Sequence, residues 1–345
     1  MTVPFYSVVM PAYNCEDTIG ATIMSILGQS FTDFELIIVN DGSTDNTEAV
    51  IRQYNDERVQ LITVPNNGPG NARNVGISKA QGTYLILVDS DDQLESENFA
   101  KRAQYFLNNR KLDLLIGSYQ TIVMDDQEEV DRKQILAPDM ELDSKEQFLE
   151  EIYNLMEQQF MYVIWNKVYR LDLIKKHQVK FPPYRSCEDR LFNLQYFHHV
   201  NHIQVTSEIV YHYSFDGKNS LTNKYFDNKY QTFEEFYLKS VELVPEDLPG
   251  FSSLFLKGTM SCFMPLHSHS CVLDTRGKRH YIQVALDSPY LKQAAKKSIS
   301  SGMMKKIFKV IFNIPNVTFH YAISWILYRL SNVNPKVIEK LKRNF

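Results

Sequence analysis

The segment Leu85-Ile-Leu-Val-Asp89-Ser-Asp91-Asp92 decides the fold of this chain. Its four apolar residues predict a buried strand, because a continuous apolar run is typical of a strand covered on both faces. The strand ends in three acids within four positions, and their charges repel one another unless a cation lies among them. A hard divalent ion such as Mg²⁺, which binds carboxylates and substrate phosphates, would fill that place. The alternative is a turn in which Asp91 or Asp92 caps a helix from Glu95 onward.

The composition is that of a globular protein. At 345 residues the chain can form one large domain or two smaller ones. Its 44% apolar and 23% charged residues exclude wholesale disorder. No secretory signal precedes Pro4, and the cysteines are few and scattered, so we expect a reducing, cytosolic setting. They are Cys15, Cys187, Cys262 and Cys271.

The charge is distributed unevenly. Residues 291–345 contain eleven Lys and Arg and one acid, Glu339, which gives +10. The whole chain carries −4, so residues 1–290 carry −4 − 10 = −14. A basic tail on an acidic body predicts an anionic partner for the tail, either a membrane or a nucleic acid. The acidic body opposes nucleic-acid binding.

Strand-like and helix-like segments alternate through the first third of the chain. This rhythm predicts an α/β fold with a mostly parallel sheet and helices on both faces. Ligands of such sheets bind beyond the carboxyl ends of the strands, where Pro11–Asn14, Asp41–Ser43 and Asp89–Asp92 stand. We interpret residues 125–142, which are polar and acidic, as a surface loop. From Tyr225 onward the pattern is helical.

Five stretches in series resemble glycosyltransferase family 2, whose members are inverting sugar transferases with the GT-A fold. They are SVVMPAYNCEDTI (7–19), FTDFELIIVNDGSTDNT (31–47), NNGPGNARNVGISKAQGTYLILVDSDD (66–92), WNKVYR (165–170) and CEDRLF (187–192). Each stretch is weak by itself, but together they follow the order of the family. We therefore expect a nucleotide-sugar-binding and catalytic GT-A domain over residues 1–224 and a helical C-terminal region over residues 225–345.

The resemblance implies a nucleotide-sugar site. Asp41 would contact the uracil or the ribose, and Arg73 would contact the nucleotide, since an arginine can pair with a phosphate through two hydrogen bonds. Family members often have Asp-Asp-Gly-Ser where this chain has Asn40-Asp41-Gly-Ser. The alternatives are a simple turn at Asp41 and a solvated helix face at Arg73. The full set of implied contacts is Pro11, Ala12, Tyr13, Asn14, Asp41, Asn67, Arg73, Asp89, Ser90, Lys218 and Ser220.

The resemblance also implies a metal and a catalytic base. Asp89 and Asp91 match the D-x-D motif, so Asp91, with Asp89, would hold Mn²⁺ or Mg²⁺ at the diphosphate. Inverting transfer needs a base that deprotonates the acceptor hydroxyl. The family places it in the pair Glu188-Asp189, and the resemblance assigns it to Asp189. The alternative is a capping box formed by Ser186 and Asp189 at a helix start.

Two further patterns admit alternatives. The segment Tyr211–Thr222 resembles the family loop that closes over the diphosphate with Lys218 and Ser220, but it could be a strand with a polar turn. Cys262-x4-His267-x-His269-x-Cys271 could hold zinc. Its spacing differs from the usual zinc pairs and favours packed helix ends.

The basic tail contains an amphipathic pattern. Met304, Ile307, Phe308 and Ile311 recur at helical spacing, with lysines between them, which predicts a cationic amphipathic helix. We expect it to dock on a membrane surface; the alternatives are helix packing or a homo-oligomer contact. The uncharged stretch Val310–Tyr328 is marginally long enough to span a bilayer, but polar residues and Pro315 interrupt it.

These patterns predict an inverting glycosyltransferase that moves a sugar from a UDP-sugar to a hydroxyl of a bacterial surface glycan. The acceptor would be a lipid-linked capsule or exopolysaccharide unit or a teichoic acid, and the enzyme would lie in the cytoplasm, peripheral on the inner face of the membrane. One rival is a sugar-nucleotide pyrophosphorylase, which would carry a Gly-rich loop after the first strand. The other is a non-catalytic nucleotide- or glycan-binding protein, which would not require a base.

Overall fold

The computed structural model describes residues 3–125, 128–216, 224–299 and 302–333. The chain forms two compact units, Met1–Lys218 and Asn219–Phe345. The first unit is built on a nine-stranded sheet, and the second is helical. The predicted α/β class with a helical C-terminal region is therefore confirmed.

The sheet of the first unit has the strand order β3-β2-β1-β4-β8-β5-β9-β7, and β6 pairs with β5. The strands β1 to β9 are Tyr6–Ala12, Phe34–Asn40, Val59–Thr63, Tyr84–Leu87, Leu114–Asp125, Glu128–Ile135, Met140–Leu142, Lys167–Arg170 and Ile203–Asp216. The strands β1 to β5 and β9 run in one direction, while β6, β7 and β8 run in the other. The sheet is thus mostly parallel, as the alternation of segments predicts.

Helices of the first unit connect these strands. The helices α1 to α7 are Ile19–Leu27, Thr47–Ile51, Pro69–Lys79, Asn98–Asn108, Lys145–Glu157, Leu171–His177 and Glu188–Phe197. The strand β1 is buried along its whole length, and α3 packs against β1 and β2. The lack of a side chain at Gly76 lets α3 approach β1 closely, since a Cβ at this position would lie 2.4 Å from a Val9 methyl group.

The order of the strands creates a crevice beside β1. The chain adds β2 and β3 on one side of β1 and then places β4 on the other side. At such a topological switch point the loops that follow the neighbouring strands diverge and leave room for a ligand. The loops after β1, β2 and β4 carry Tyr13, Asp41 and Asp89, so the sheet brings the predicted motifs to one edge.

The prediction of a surface loop over residues 125–142 is wrong. This segment forms β6, which pairs antiparallel with β5 from Tyr119↔Ile135 to Asp125↔Glu128, and the short strand β7. The described side chains of β6 are mostly exposed. Main-chain hydrogen bonds pair β6 with β5, so the segment can form a strand without alternating apolar residues. Its polar composition therefore does not distinguish a strand from a loop.

The second unit is a helical assembly around one central helix. The helices α8 to α13 are Lys229–Leu243, Leu248–Phe263, Thr275–Asp287, Pro289–Lys297, Met303–Phe312 and Val317–Val333. The helix α9 packs against α8, α11, α12 and α13. In α9, Cys262 is buried, and His267 after it forms a hydrogen bond of 2.8 Å between its Nε2 and Ser324 Oγ. No group of three or more His, Cys, Asp and Glu side chains suited to a metal occurs in the described ranges, and His267 belongs to helix packing.

The uncharged stretch Val310–Tyr328 is not one continuous helix. It is divided between the end of α12 and the start of α13, and Pro315 lies in the connection. Within the part of the chain that the structure describes, no helix is both long and apolar enough to cross a bilayer.

Candidate active site

Arg73, on α3, is surrounded by three carboxylates in the crevice. Its Nη2 lies 2.7 Å from Asp89 Oδ1, and its Nη1 lies 3.1 Å from Asp189 Oδ1 and 3.7 Å from Glu188 Oε1. The arginine side chain is only 6% exposed. The cluster joins α3, the loop after β4 and the first turn of α7, and it brings together four residues that the sequence predicts to be functional.

The cluster has an excess of negative charge, with three acids around one guanidinium. Burial raises the pKa of Asp189; Arg73 opposes this effect, and repulsion from Glu188 and Asp89 adds to it. Burial is also the main cause of the raised pKa of Glu188. A carboxylate with a raised pKa holds a proton more readily than an ordinary aspartate. Such a group is suited to accept a proton from a hydroxyl.

Asp91 lies two residues beyond Asp89 in the loop after β4. It is exposed as a residue, but partial burial of its carboxyl, with repulsion from Asp89, raises its pKa to about 6. Among the residues that the structure describes, no basic side chain forms an ion pair with Asp91. The charge of Arg73 only partly offsets the repulsion between Asp91 and Asp89, and a cation bound between the two carboxylates would relieve it.

Asp92 does not cap a helix, contrary to the alternative considered for it. The helix α4 begins at Asn98, with Glu97 at its N-cap position. Asp92 is fully buried and accepts hydrogen bonds from the Tyr211 hydroxyl (2.8 Å) and from the amide of Ser214 (3.0 Å). Burial, with repulsion from Asp89 and Asp91, raises its pKa well above the usual value.

Asp41 is buried at the carboxyl end of β2. Its two carboxylate oxygens accept hydrogen bonds from the backbone amides of Asn67 (2.9 Å) and Gly68 (2.8 Å). The following Gly42 has φ +69°, and a Cβ there would lie 2.8 Å from the Asn66 amide nitrogen. Asp41 therefore fastens the loop before α3 to the loop after β2 and shapes this side of the crevice.

The other predicted nucleotide contacts that the structure describes lie at the ends of β1 and β4. Pro11 and Ala12 are buried, whereas Tyr13 is 50% exposed. The Asn14 side chain accepts a hydrogen bond of 2.8 Å from the Thr44 amide, which joins the loops after β1 and β2. The carbonyl oxygen of Ser90 accepts bonds from the hydroxyls of Thr18 and Thr22. Lys218 and Ser220 lie outside the described residues.

Sequence reasoning missed the aromatic support of this site. Trp165 stacks on Tyr211 and Tyr213 with ring centroids 4.4 and 5.4 Å apart. Lys167 is fully buried, and its Nζ donates to the carbonyls of Phe160 and Val163 and to the side chain of Asn166. The motif W-N-K marked this region, but no pattern in the sequence pairs Trp165 with Tyr211 and Tyr213, which lie more than forty positions away.

Known proteins share both the motifs and the fold. The family model described as Glycosyl transferase family 2 matches residues 7–178. An uncharacterized glycosyltransferase, EpsJ of Bacillus subtilis (strain 168), is 30% identical over 250 residues, which are 68% of this chain and 70% of EpsJ. The poly(ribitol-phosphate) beta-N-acetylglucosaminyltransferase TarS of Staphylococcus aureus (strain MW2) is 28% identical over 254 residues; these cover 70% of this chain and 41% of TarS.

Solved structures extend the likeness to the fold. The crystal structure of S. aureus TarS 1-349 in complex with UDP-GlcNAc has a TM-score of 0.67 at 21% identity, covering 94% of this chain and 92% of that chain. The mannosyltransferase PcManGT from Pyrobaculum calidifontis, in complex with GDP-Man and Mn²⁺, has a TM-score of 0.50 at 13% identity, covering 91% and 88%. At these identities the likeness is one of fold, and it agrees with the GT-A fold that the motifs imply.

Proposed function

Because the chain belongs to glycosyltransferase family 2, we propose that it transfers a sugar from a UDP-sugar to a hydroxyl of a bacterial surface glycan, with inversion at the anomeric carbon. The observation that carries this proposal is the convergence of Asp89, Glu188 and Asp189 on Arg73 at the switch point of the sheet. The donor and acceptor classes are supported by the named activity of TarS and by its complex with UDP-GlcNAc.

The nucleotide would lie against the loops after β1, β2 and β4. Asp41 would read the uracil or the ribose, and Pro11, Ala12 and Tyr13 would form the wall of the pocket. The hydrogen bonds from Asn67 and Gly68 to Asp41 support this role, because they fix the loop before a ligand arrives. A loop that is already ordered loses less conformational entropy on binding, so it binds its ligand more tightly.

Asp91 and Asp89 would hold Mn²⁺ or Mg²⁺. Carboxylate oxygens are the ligands that these hard cations prefer, and the repulsion between Asp91 and Asp89, which Arg73 only partly offsets, favours a bound cation. The complex of PcManGT with Mn²⁺ supports the assignment. When bound, the metal would supply Lewis-acid stabilisation of the negative charge that develops on the diphosphate leaving group.

Asp189 would act as the base that takes the proton of the acceptor hydroxyl. Arg73 donates a hydrogen bond to one oxygen of its carboxylate, and burial, with repulsion from Glu188 and Asp89, raises its pKa.

A donor screen tests the proposed function without an acceptor. Incubated with Mn²⁺ and a panel of UDP-, GDP- and CDP-sugars, the protein should slowly hydrolyse one or more UDP-sugars and release UDP. Asp41→Ala should weaken UDP binding measured by calorimetry, whereas Asp139→Ala, an exposed acid far along the chain, should not. Turnover of a GDP- or CDP-sugar in place of UDP-sugars would refute the donor class, and binding without any turnover would favour a non-catalytic protein.

We further propose that the second unit docks on the anionic inner face of the cell membrane. On α12 and just beyond it, Met303, Ile307, Val310 and Ile314 are 72%, 40%, 64% and 36% exposed. They recur every three or four residues and so form one outward stripe. Lys306 is exposed beside this stripe. Apolar and basic side chains on one face suit an interface with anionic lipid.

The structure changes which residues form the docking face. Met304, on the face predicted from the sequence, is buried, and Phe308 and Ile311 are half-buried. Of the four predicted residues, Ile307 belongs to the outward stripe. The predicted apolar face thus mainly packs inward, while a second apolar stripe remains in contact with solvent.

The helix α13 also presents an apolar outward face. Trp325, Ile326 and Leu330 are 46%, 47% and 44% exposed, and the guanidinium of Arg329 lies 5.4 Å from the centre of the Trp325 ring. Tryptophan and arginine side by side are typical of the region between lipid headgroups and acyl chains. This face supports the same peripheral docking.

Vesicle binding should follow both charge and apolar contact. The full chain should sediment with vesicles that contain phosphatidylglycerol at low salt and be released as salt rises, because exposed charges are screened over about 10 Å at 0.1 M. Lys306→Gln and Trp325→Ala should each weaken this binding, by about 1 kcal/mol for the lysine. Val284→Ser, which changes an exposed apolar residue of α10, serves as the control. If the full chain ignores these vesicles and Trp325→Ala instead dissociates an oligomer, the face is a protein contact.

A further inference from the structure

Residues 89–95, which follow β4 and which we call the acidic loop, are held by strand β9 through the hydroxyl of Tyr211. The Asp89 amide donates to this oxygen (3.2 Å), and the hydroxyl donates to Asp92 Oδ2 (2.8 Å). The other oxygen of Asp92 accepts the Ser214 amide (3.0 Å). One phenol therefore bonds to the loop on both sides of Asp91.

The same strand contacts the loop again further along. Gln93 and His212 form an isolated antiparallel bridge, and His212 Nε2 lies 3.2 Å from Glu95 Oε1. The loop from residue 89 to residue 95 is thus fixed along β9 rather than anchored at its ends alone. Its conformation depends on where β9 places Tyr211.

Tyr211 is itself fixed from two directions. The carbonyl of Val210 accepts bonds from Asn98 (2.6 Å) and from Arg102, both on α4. The ring of Tyr211 is fully buried and stacks on Trp165 at 4.4 Å with the planes 15° apart. A side chain held in this way has little freedom to follow a displaced loop, so it can set the position of the loop.

We propose that Tyr211 is a positioning residue for the metal-binding carboxylates. By joining the Asp89 amide to Asp92, its hydroxyl holds Asp89 and Asp91 in one orientation toward the cation and the diphosphate. This inference rests on the proposed metal role of Asp89 and Asp91. Partners that orient metal ligands commonly affect metal affinity by about 10–100-fold when they are removed.

Tyr211→Phe tests the proposal, because it removes the hydroxyl and keeps the ring stack. In the presence of UDP, the variant should bind Mn²⁺ about 10-fold more weakly, measured from free Mn²⁺ by electron paramagnetic resonance. Tyr196→Phe is the matched control: Tyr196 is also fully buried, and its hydroxyl accepts the Arg170 amide (2.9 Å) and donates to the Asp113 carbonyl (2.7 Å). The hydrogen bonds of its hydroxyl go to Arg170 and Asp113 rather than to residues 89–95.

The readout separates positioning from loss of folded protein. Unfolding lowers the number of Mn²⁺ sites and leaves the dissociation constant of the remaining sites unchanged, whereas a displaced loop changes the constant itself. Unchanged Mn²⁺ affinity in Tyr211→Phe, or an equal loss in Tyr196→Phe, overturns the proposal, as does an absence of Mn²⁺ binding in the unmodified protein. Mn²⁺ binding needs no donor sugar, so failure of the proposed transferase activity is detected separately by the donor screen.

Discussion

Replacing Asp189 with Asn should lower sugar transfer by about 10²–10⁴-fold, the usual contribution of a general base. The amide has nearly the size of the carboxylate, and its oxygen can still accept the bond from Arg73, which now measures 3.1 Å. It cannot take a proton from the acceptor. We therefore expect UDP affinity, measured by calorimetry, to change far less than kcat.

The pH profile provides an independent check of this role. The base acts in its deprotonated form, and burial raises the pKa of Asp189, so the rate should rise with pH through a pKa above that of an ordinary aspartate. This limb should be absent from Asp189→Asn. Asp172→Asn, which changes an exposed acid in the first turn of α6, should keep both the rate and the profile. Near-normal transfer by folded Asp189→Asn would exclude Asp189 as the catalytic base and indicate a structural role instead.

Replacing Asp91 with Asn should lower activity by about 10²-fold or more, since the metal contribution to the transition state is typically several kcal/mol. The neutral amide is a weaker ligand for a hard cation than a carboxylate. In the unmodified protein, EDTA should weaken UDP binding, and added Mn²⁺ or Mg²⁺ should restore it. In Asp91→Asn, UDP binding should already be weak and should respond little to EDTA.

The control for Asp91→Asn should remove the same charge from a residue that is not one of the proposed metal ligands. Asp45→Asn also removes one acid from a loop that follows a strand, and Asp45 bonds to the amides of Glu16 and Thr47. We expect this variant to retain the response to EDTA. Equal UDP affinity of the unmodified protein with metal and with EDTA would exclude the metal role of Asp91.

The sequence indicated the position of the site because the relevant signals are local. An apolar run followed by acids, as at Leu85–Asp92, marks a strand end, and the alternation of such runs with helical spacing predicts a parallel sheet. The carboxyl ends of parallel strands share one edge, so the motifs after β1, β2 and β4 meet without further information. The family resemblance added roles for Asp91 and Asp189, which remain proposals.

The sequence was less informative where structure depends on distant partners. None of the described side chains of β6 is buried, so the strand can be polar, and its pairing with β5 is a main-chain interaction. The sequence could not show which apolar stripe of α12 faces solvent and which packs inward. Helical spacing identifies the residues that share a face, but not the face that a neighbouring element covers.

What the sequence by itself determined is the class of the fold, the order of its motifs and the edge of the sheet where they lie. Tertiary structure alone decided that Arg73 meets Asp189, 116 positions away, and that Asp92 bonds to Tyr211, 119 positions away. Local patterns depend on steric and apolar preferences of neighbours in the chain. The contacts that orient charged groups depend instead on how separate elements pack, since a buried carboxylate must find its hydrogen-bond partners wherever the fold brings them.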